Sequence, residues 1–104
     1  MKKYFDNIDE FYVSRKNIFT IDDFREFDKK CKNTLIEHIK TNGGMSVCGF
    51  ELTDLDNGMK VEVNEIYFGE SGDLVIKSDE GVCYQWEELY GMDKILLIEK
   101  ILKE

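Results

Sequence analysis

The spacing of hydrophobic residues changes along this chain of 104 residues near Gly44. Before that point apolar residues recur every three or four positions, as in an amphipathic helix, and after it they alternate with polar residues, as in a half-buried strand. We therefore predict a single α+β domain with a helix over about 20–41, a four-stranded antiparallel meander over about 46–86, and a C-terminal helix over about 92–103 packed on one sheet face. Helical spacing over residues 4–12 predicts a further short helix at the start.

The first long helix has clear boundary residues. Thr20 is a favourable N-cap, Asp23 lies where a capping box needs a side-chain acceptor, and Phe19 and Phe24 occupy the positions of a hydrophobic staple. The run Asn42-Gly43-Gly44 tolerates the left-handed conformation that ends helices. Between these limits one apolar stripe is predicted to face the core: Ile21, Phe24, Phe27, Cys31, Leu35, Ile36 and Ile39.

Turn residues divide the second half of the chain into four strands. Asn57-Gly58 is a strong hairpin signature between two alternating segments. Residues 69–72 and 78–81, both rich in glycine and small polar residues, predict the second and third turns, so the fourth strand should cover 82–86. Strands joined by tight turns form an antiparallel meander.

The second strand carries two apolar sets of opposite parity, Met59, Val61 and Val63, then Ile66 and Phe68. A β-bulge near Asn64 and Glu65 would turn both sets toward the core. In the first strand the alternation places Cys48, Phe50 and Leu52 on one face.

Charge is distributed unevenly. The net charge is −8, and residues 45–93 contain twelve acidic and two basic residues, hence −10, while the segments on either side each carry +1. The negative excess therefore belongs to the sheet and its turns. Such a surface would repel nucleic acid, whose phosphates require Lys and Arg, and it would favour a basic protein partner.

Six acidic residues are the candidates for partner binding. In a meander the first and third turns emerge at the same end of the sheet, which should bring together Asp54, Asp56, Asp79 and Glu80. Glu51 and Glu62 should point outward from the first two strands. The alternative is that an acidic sheet only keeps a small protein soluble and discourages edge pairing.

Compartment and membrane association follow from what the sequence lacks. Acidic residues appear before any apolar run develops at the N-terminus, so a signal peptide is not expected, and no segment approaches the length of a membrane span. The three cysteines form no C-x-x-C pair. We expect reduced thiols and a cytoplasmic location.

Tests for catalytic and metal chemistry fail on spacing. The segment beginning at Asp54 resembles a calcium loop, but its glycine is fifth instead of sixth. Cys31 and His38 lie on one helix about 10.5 Å apart in rise, too far for a nucleophile and its base. No zinc spacing is present. We therefore expect no metal, no cofactor and no catalytic residue.

Two functional hypotheses and one assembly hypothesis remain. The first is a non-enzymatic interaction module that presents its acidic sheet surface to a protein partner that is basic or binds nucleic acid. The second is a small-ligand binder or hydrolase with a cavity between the Thr20 helix and the curved sheet. Tyr84, Trp86 and Tyr90 would then line the pocket, unless they only close the core. The apolar C-terminal helix predicts homodimerisation through itself or through an edge strand.

Overall fold

The computed structural model describes residues 3–103, with the backbone alone for residues 45–49. Its helices and strands confirm the α+β architecture. In chain order they are α1 (Ile8–Lys16), α2 (Ile21–Asn42), β1 (Met45–Thr53), β2 (Lys60–Phe68), β3 (Leu74–Ser78), β4 (Cys83–Tyr84), a 3₁₀ helix (Trp86–Glu88) and α3 (Gly91–Lys103).

The long helix α2 has the predicted ends. The Thr20 hydroxyl accepts from the Asp23 amide, and the Asp23 carboxylate accepts from the Thr20 amide, which completes the capping box. Gly43, with φ of 78°, is the left-handed C-cap. The predicted staple between Phe19 and Phe24 is wrong. Phe19 is 80% exposed, and Phe24 packs against Gly91 of α3 instead.

The sheet is the predicted meander, with strand order β1-β2-β3-β4 and all neighbours antiparallel. The register between β2 and β3 shifts between Val63 and Glu65, which confirms the bulge. As a result Val63 and Ile66 are both buried despite their opposite parity. Leu52 is also buried, whereas the predicted core position of Cys48 lies outside the residues whose side chains are described.

Three boundaries differ from the sequence prediction. The first helix begins at Ile8, later than predicted, because the Asn7 side chain caps it by accepting from the Glu10 amide. Met59 precedes β2 and is 65% exposed, since its carbonyl closes the first hairpin by accepting from the Asp54 amide. Strand β4 has two residues, and the chain leaves the sheet before Trp86 to bury the indole.

The helices pack on the sheet and on each other around one hydrophobic core. Helix α3 contacts α1, α2 and β1, and α2 also contacts β2. The core cluster draws on every helix and on β1, β2 and β3, from Phe5 near the start to Ile101 near the end. Within the described residues, no helix combines the length and apolar character needed to cross a bilayer.

Candidate functional site

Two glutamates face each other across the outer surface of the sheet. Glu51 of β1 is paired directly with Glu62 of β2, and both are exposed. Like charges at such cross-strand positions oppose folding. Among the described ion pairs, none includes either residue, whereas Glu65 lies 3.8 Å from Lys77 on the same sheet.

The acidic residues of the turns gather at one end of the sheet. We call Asp54, Asp56, Asp79, Glu80 and Glu88 the acidic end. The first hairpin is tied to the 3₁₀ helix, since the Leu55 amide donates to the Glu88 carbonyl at 3.0 Å. The third turn is tied to β2 by the Asp79 amide, which donates to the Glu62 carbonyl at 3.0 Å.

Tyr84 lies among three carboxylates of the acidic end. Burial raises the pKa of Tyr84, and Asp54, Glu80 and Glu88 shift the pKa in the same direction. A phenol that holds its proton beside carboxylates acts as a hydrogen-bond donor to them. The turns therefore bring Asp54 and Glu80 close to one side chain.

Asp54 has a structural position, unlike the exposed position expected from the sequence. It is 7% exposed, its carboxylate accepts from the Asp56 amide at 2.8 Å, and its backbone bridges to Leu89. An aspartate that accepts from an amide two residues later stabilises a turn. The exposed candidates at this end are therefore Asp56, Asp79 and Glu80.

An apolar groove borders the acidic end. We define it by Phe24, Leu55, Leu89, Tyr90 and Met92, which line a cavity of about 450 Å³ together with Asp28, Glu87, Gly91 and Lys94. Three of these apolar side chains are substantially exposed: Leu55 at 56%, Tyr90 at 47% and Met92 at 44%. Grouped exposed apolar residues of this kind are characteristic of binding surfaces.

Gly91 allows one wall of the groove to form. A Cβ atom at this position would lie 2.9 Å from Cζ of Phe24, closer than side chains pack. The bare backbone of Gly91 thus lets the Phe24 ring rest on the first turn of α3.

The inner end of the groove contains a buried lysine. Lys94 is 5% exposed, and its Nζ donates to the Trp86 carbonyl at 2.8 Å and lies 3.4 Å from Oδ1 of Asp28. Nζ is also 4.7 Å from the Trp86 ring centroid, and the indole Nε1 donates to Oδ2 of Asp28 at 3.1 Å. Burial lowers the pKa of Lys94, while Asp28 acts in the opposite direction.

These contacts indicate a structural role for the buried charges. The ammonium is held by a carbonyl, a carboxylate and an aromatic face, which compensates much of its lost hydration.

Burial raises the pKa of the adjacent Cys31 to about 12, and Asp28 contributes in the same direction. A thiol with that pKa provides almost no thiolate at neutral pH, so Cys31 is a core residue and a poor nucleophile.

A second cavity, of about 570 Å³, lies beside α1 and α2. Phe5 and Phe27 are its buried lining residues, and Glu26 and Lys29 are among its exposed charged ones. None of its lining residues belongs to the acidic segment 45–93. Three lysines (Lys3, Lys29 and Lys30) outnumber the two carboxylates (Asp23 and Glu26) in its lining, so this cavity lacks the acidic surroundings of the groove.

The three aromatic candidates do not form one pocket. Tyr90 lines the groove, Trp86 is 1% exposed beneath it, and Tyr84 is half-buried at the acidic end.

Sequence reasoning missed Leu55 and Met92, because a single apolar residue in a turn or at a helix start has no periodicity to mark it. It also missed that Lys94 is buried. The available clue was that Lys94 belongs to the same helix as six large apolar residues.

Within the described part of the chain, no group of three His, Cys, Asp or Glu side chains is placed to hold a metal ion. Comparisons of the chain with models of known protein families, with curated proteins and with solved structures give no match.

Proposed function

We propose that this protein is a non-enzymatic interaction module whose acidic sheet surface binds a basic protein. The observation that carries the proposal is the exposed pair Glu51 and Glu62, placed directly opposite each other between two strands. Such a pair costs about 0.2–1 kcal/mol of stability relative to a neutral pair. A cationic side chain placed between the two carboxylates would relieve that repulsion.

The rest of the segment supports the same kind of partner. Residues 45–93 carry −10, and one of their two lysines, Lys77, is already near Glu65. The field of the sheet would attract a basic surface over roughly one Debye length, about 8–10 Å at physiological salt. A partner that itself binds nucleic acid would have the required lysines and arginines. We also propose a cytoplasmic location, a compartment in which the thiols of Cys31 and Cys83 would stay reduced.

Affinity capture with matched charge variants tests the proposal. The test variant is Glu51→Gln/Glu62→Gln, and the control is Glu70→Gln/Asp73→Asn, which removes two charges from the second turn at the other end of the sheet. We expect the wild type and the control to retain a basic protein from the native host at low salt and to release it at high salt. The test variant should retain much less.

Equal retention by the test and control variants would refute the assigned surface. Capture that is insensitive to salt would refute the electrostatic basis, because attraction between exposed charges is screened.

A further inference from the structure

We infer that the apolar groove is an anchor site for a bulky hydrophobic side chain on a basic partner segment. This inference rests on the proposed function and specifies the partner's chemistry. Interfaces combine a small apolar centre with a polar rim, and most of the affinity comes from a few side chains at that centre. The structure contains such an arrangement at the junction of the first hairpin and α3.

The rim and the groove are physically continuous. Leu55 and Asp56 are neighbours in the first hairpin loop and both are exposed, so one partner segment can meet the apolar and the acidic residue together. The hairpin is fixed against the groove's other side by the Tyr90 amide, which donates to the Thr53 carbonyl at 2.8 Å. Together with the bond from the Leu55 amide to the Glu88 carbonyl, this hydrogen bond fixes the position of the acidic hairpin relative to the apolar groove.

Two lysines near the groove already have carboxylate partners. Lys94 is buried with Asp28, and Nζ of Lys32 lies 2.7 Å from Oε1 of Glu87, which also lowers the pKa of Glu87. Asp56 and Glu88 remain exposed beside the opening. Lysines on either side of a hydrophobic anchor would complement this arrangement.

The shape of the surface fits an amphipathic segment. Leu96 lies one helical turn after Met92 on α3 and is 48% exposed, so the apolar strip continues beyond the cavity along the helix. A helix laid in a groove places its anchors three or four residues apart and leaves its charged face on the rim. A basic amphipathic helix with a Leu or aromatic anchor is thus the occupant that we infer.

A second copy of the chain is a less suitable occupant. A two-fold contact through the groove would bring the acidic end of one protomer near that of the other, because such interfaces use the same patch twice. The homodimer predicted from the sequence would avoid this repulsion only at another surface.

The test compares two lysine-rich helical peptides of equal charge, one with a central Leu and one with Ser in its place. Both are titrated into the wild type, into Tyr90→Ala, and into Phe19→Ala, which removes an exposed aromatic side chain that does not line the groove. We expect the Leu peptide to bind at least about fivefold more tightly than the Ser peptide to the wild type and to Phe19→Ala. The preference should disappear in Tyr90→Ala, and amide NMR shifts should centre on Leu55, Tyr90 and Met92.

Four outcomes would overturn the anchor. Equal binding of the two peptides, with salt-sensitive affinity for both, would exclude it and leave the acidic surface standing. Retention of the Leu preference by Tyr90→Ala would place the anchor elsewhere. A wild-type dimer in sedimentation that Tyr90→Ala dissociates would assign the groove to self-association. Failure of both peptides to bind at low salt would refute the anchor and count against the acidic surface as well.

Discussion

Replacing Asp28 by asparagine tests whether the charges beneath the groove stabilise the fold as a unit. The substitution removes the negative charge but keeps an oxygen that can accept from Nε1 of Trp86, now 3.1 Å from the carboxylate. Lys94 would stay buried, with its Nζ bound to the Trp86 carbonyl and without its ion-pair partner. The variant thus isolates the effect of an uncompensated ammonium.

The expected loss can be worked out from the exposure of the pair. Removing one partner of a fully buried ion pair costs about 3–5 kcal/mol. The Asp28 side chain is 29% exposed and that of Lys94 is 6% exposed, so water can reach one partner and lowers the cost. We expect the free energy of unfolding to fall by about 2–3 kcal/mol, a large part of the roughly 5–15 kcal/mol typical of a domain.

A double-mutant cycle with Lys94→Met separates charge from packing. The methionine side chain fills similar space without a charge. The Trp86 carbonyl still accepts a hydrogen bond from the Leu89 amide at 3.4 Å. We expect Lys94→Met alone to cost about 1–2 kcal/mol, because a hydrogen bond is lost and the partly exposed Asp28 carboxylate loses its cation. In that background Asp28→Asn should cost less than about 1 kcal/mol, because no buried charge is left unpaired.

Urea unfolding followed by fluorescence measures each corner of the cycle. Trp86 is the only tryptophan and is 1% exposed, so its emission reports the loss of this core. With a denaturant slope of about 1–2 kcal/mol per molar, Asp28→Asn should shift the midpoint by roughly 1–3 M. Circular dichroism in parallel checks that the shift reports global unfolding. If Asp28→Asn costs the same with and without Lys94, the two charges are not coupled and the ion pair does not stabilise the fold as a unit.

Three further predictions concern separate parts of the fold. Thr20→Ala should lower the free energy of unfolding by about 1 kcal/mol, because the Asp23 amide loses its acceptor; no change in the urea midpoint would contradict the cap. Glu62→Lys should raise stability by about 0.5–1 kcal/mol, seen as a higher thermal midpoint, because it faces Glu51; a lower midpoint would show that this pair does not repel. The Cys31 pKa is raised from 9.0 to about 12, so the native state binds more protons above pH 9 and stability should fall as pH rises from about 9 to 12. That fall should be smaller in Cys31→Ala, measured by urea unfolding at pH 8 and pH 10.5, and equal slopes would refute the burial effect.

The parts of the fold that local rules determine were predictable. The α2 ends follow from Thr20 and Gly43, whose contributions depend on neighbours within one turn. The β2 bulge follows from parity alone, since Val63 and Ile66 cannot both be buried on a regular strand.

The groove was not predictable, because it depends on contacts far apart in sequence. Trp86 looked like the end of a strand by its β propensity and alternation, but its indole hydrogen-bonds to Asp28, fifty-eight residues earlier. Lys94 likewise depends on that long-range contact. Tertiary contacts of this kind override local preference.

Departures from the usual rules occur at three places in this molecule. Glutamates oppose each other on adjacent strands at Glu51 and Glu62, a lysine is buried at Lys94, and large apolar side chains are exposed at Leu55 and Tyr90. Each arrangement lowers stability or solubility relative to an obvious alternative. Natural sequences keep such conflicts mainly where a function requires them. The hairpin that carries Leu55 also connects β1 to β2, so a partner that binds the groove and the sheet would relieve two of these costs at once.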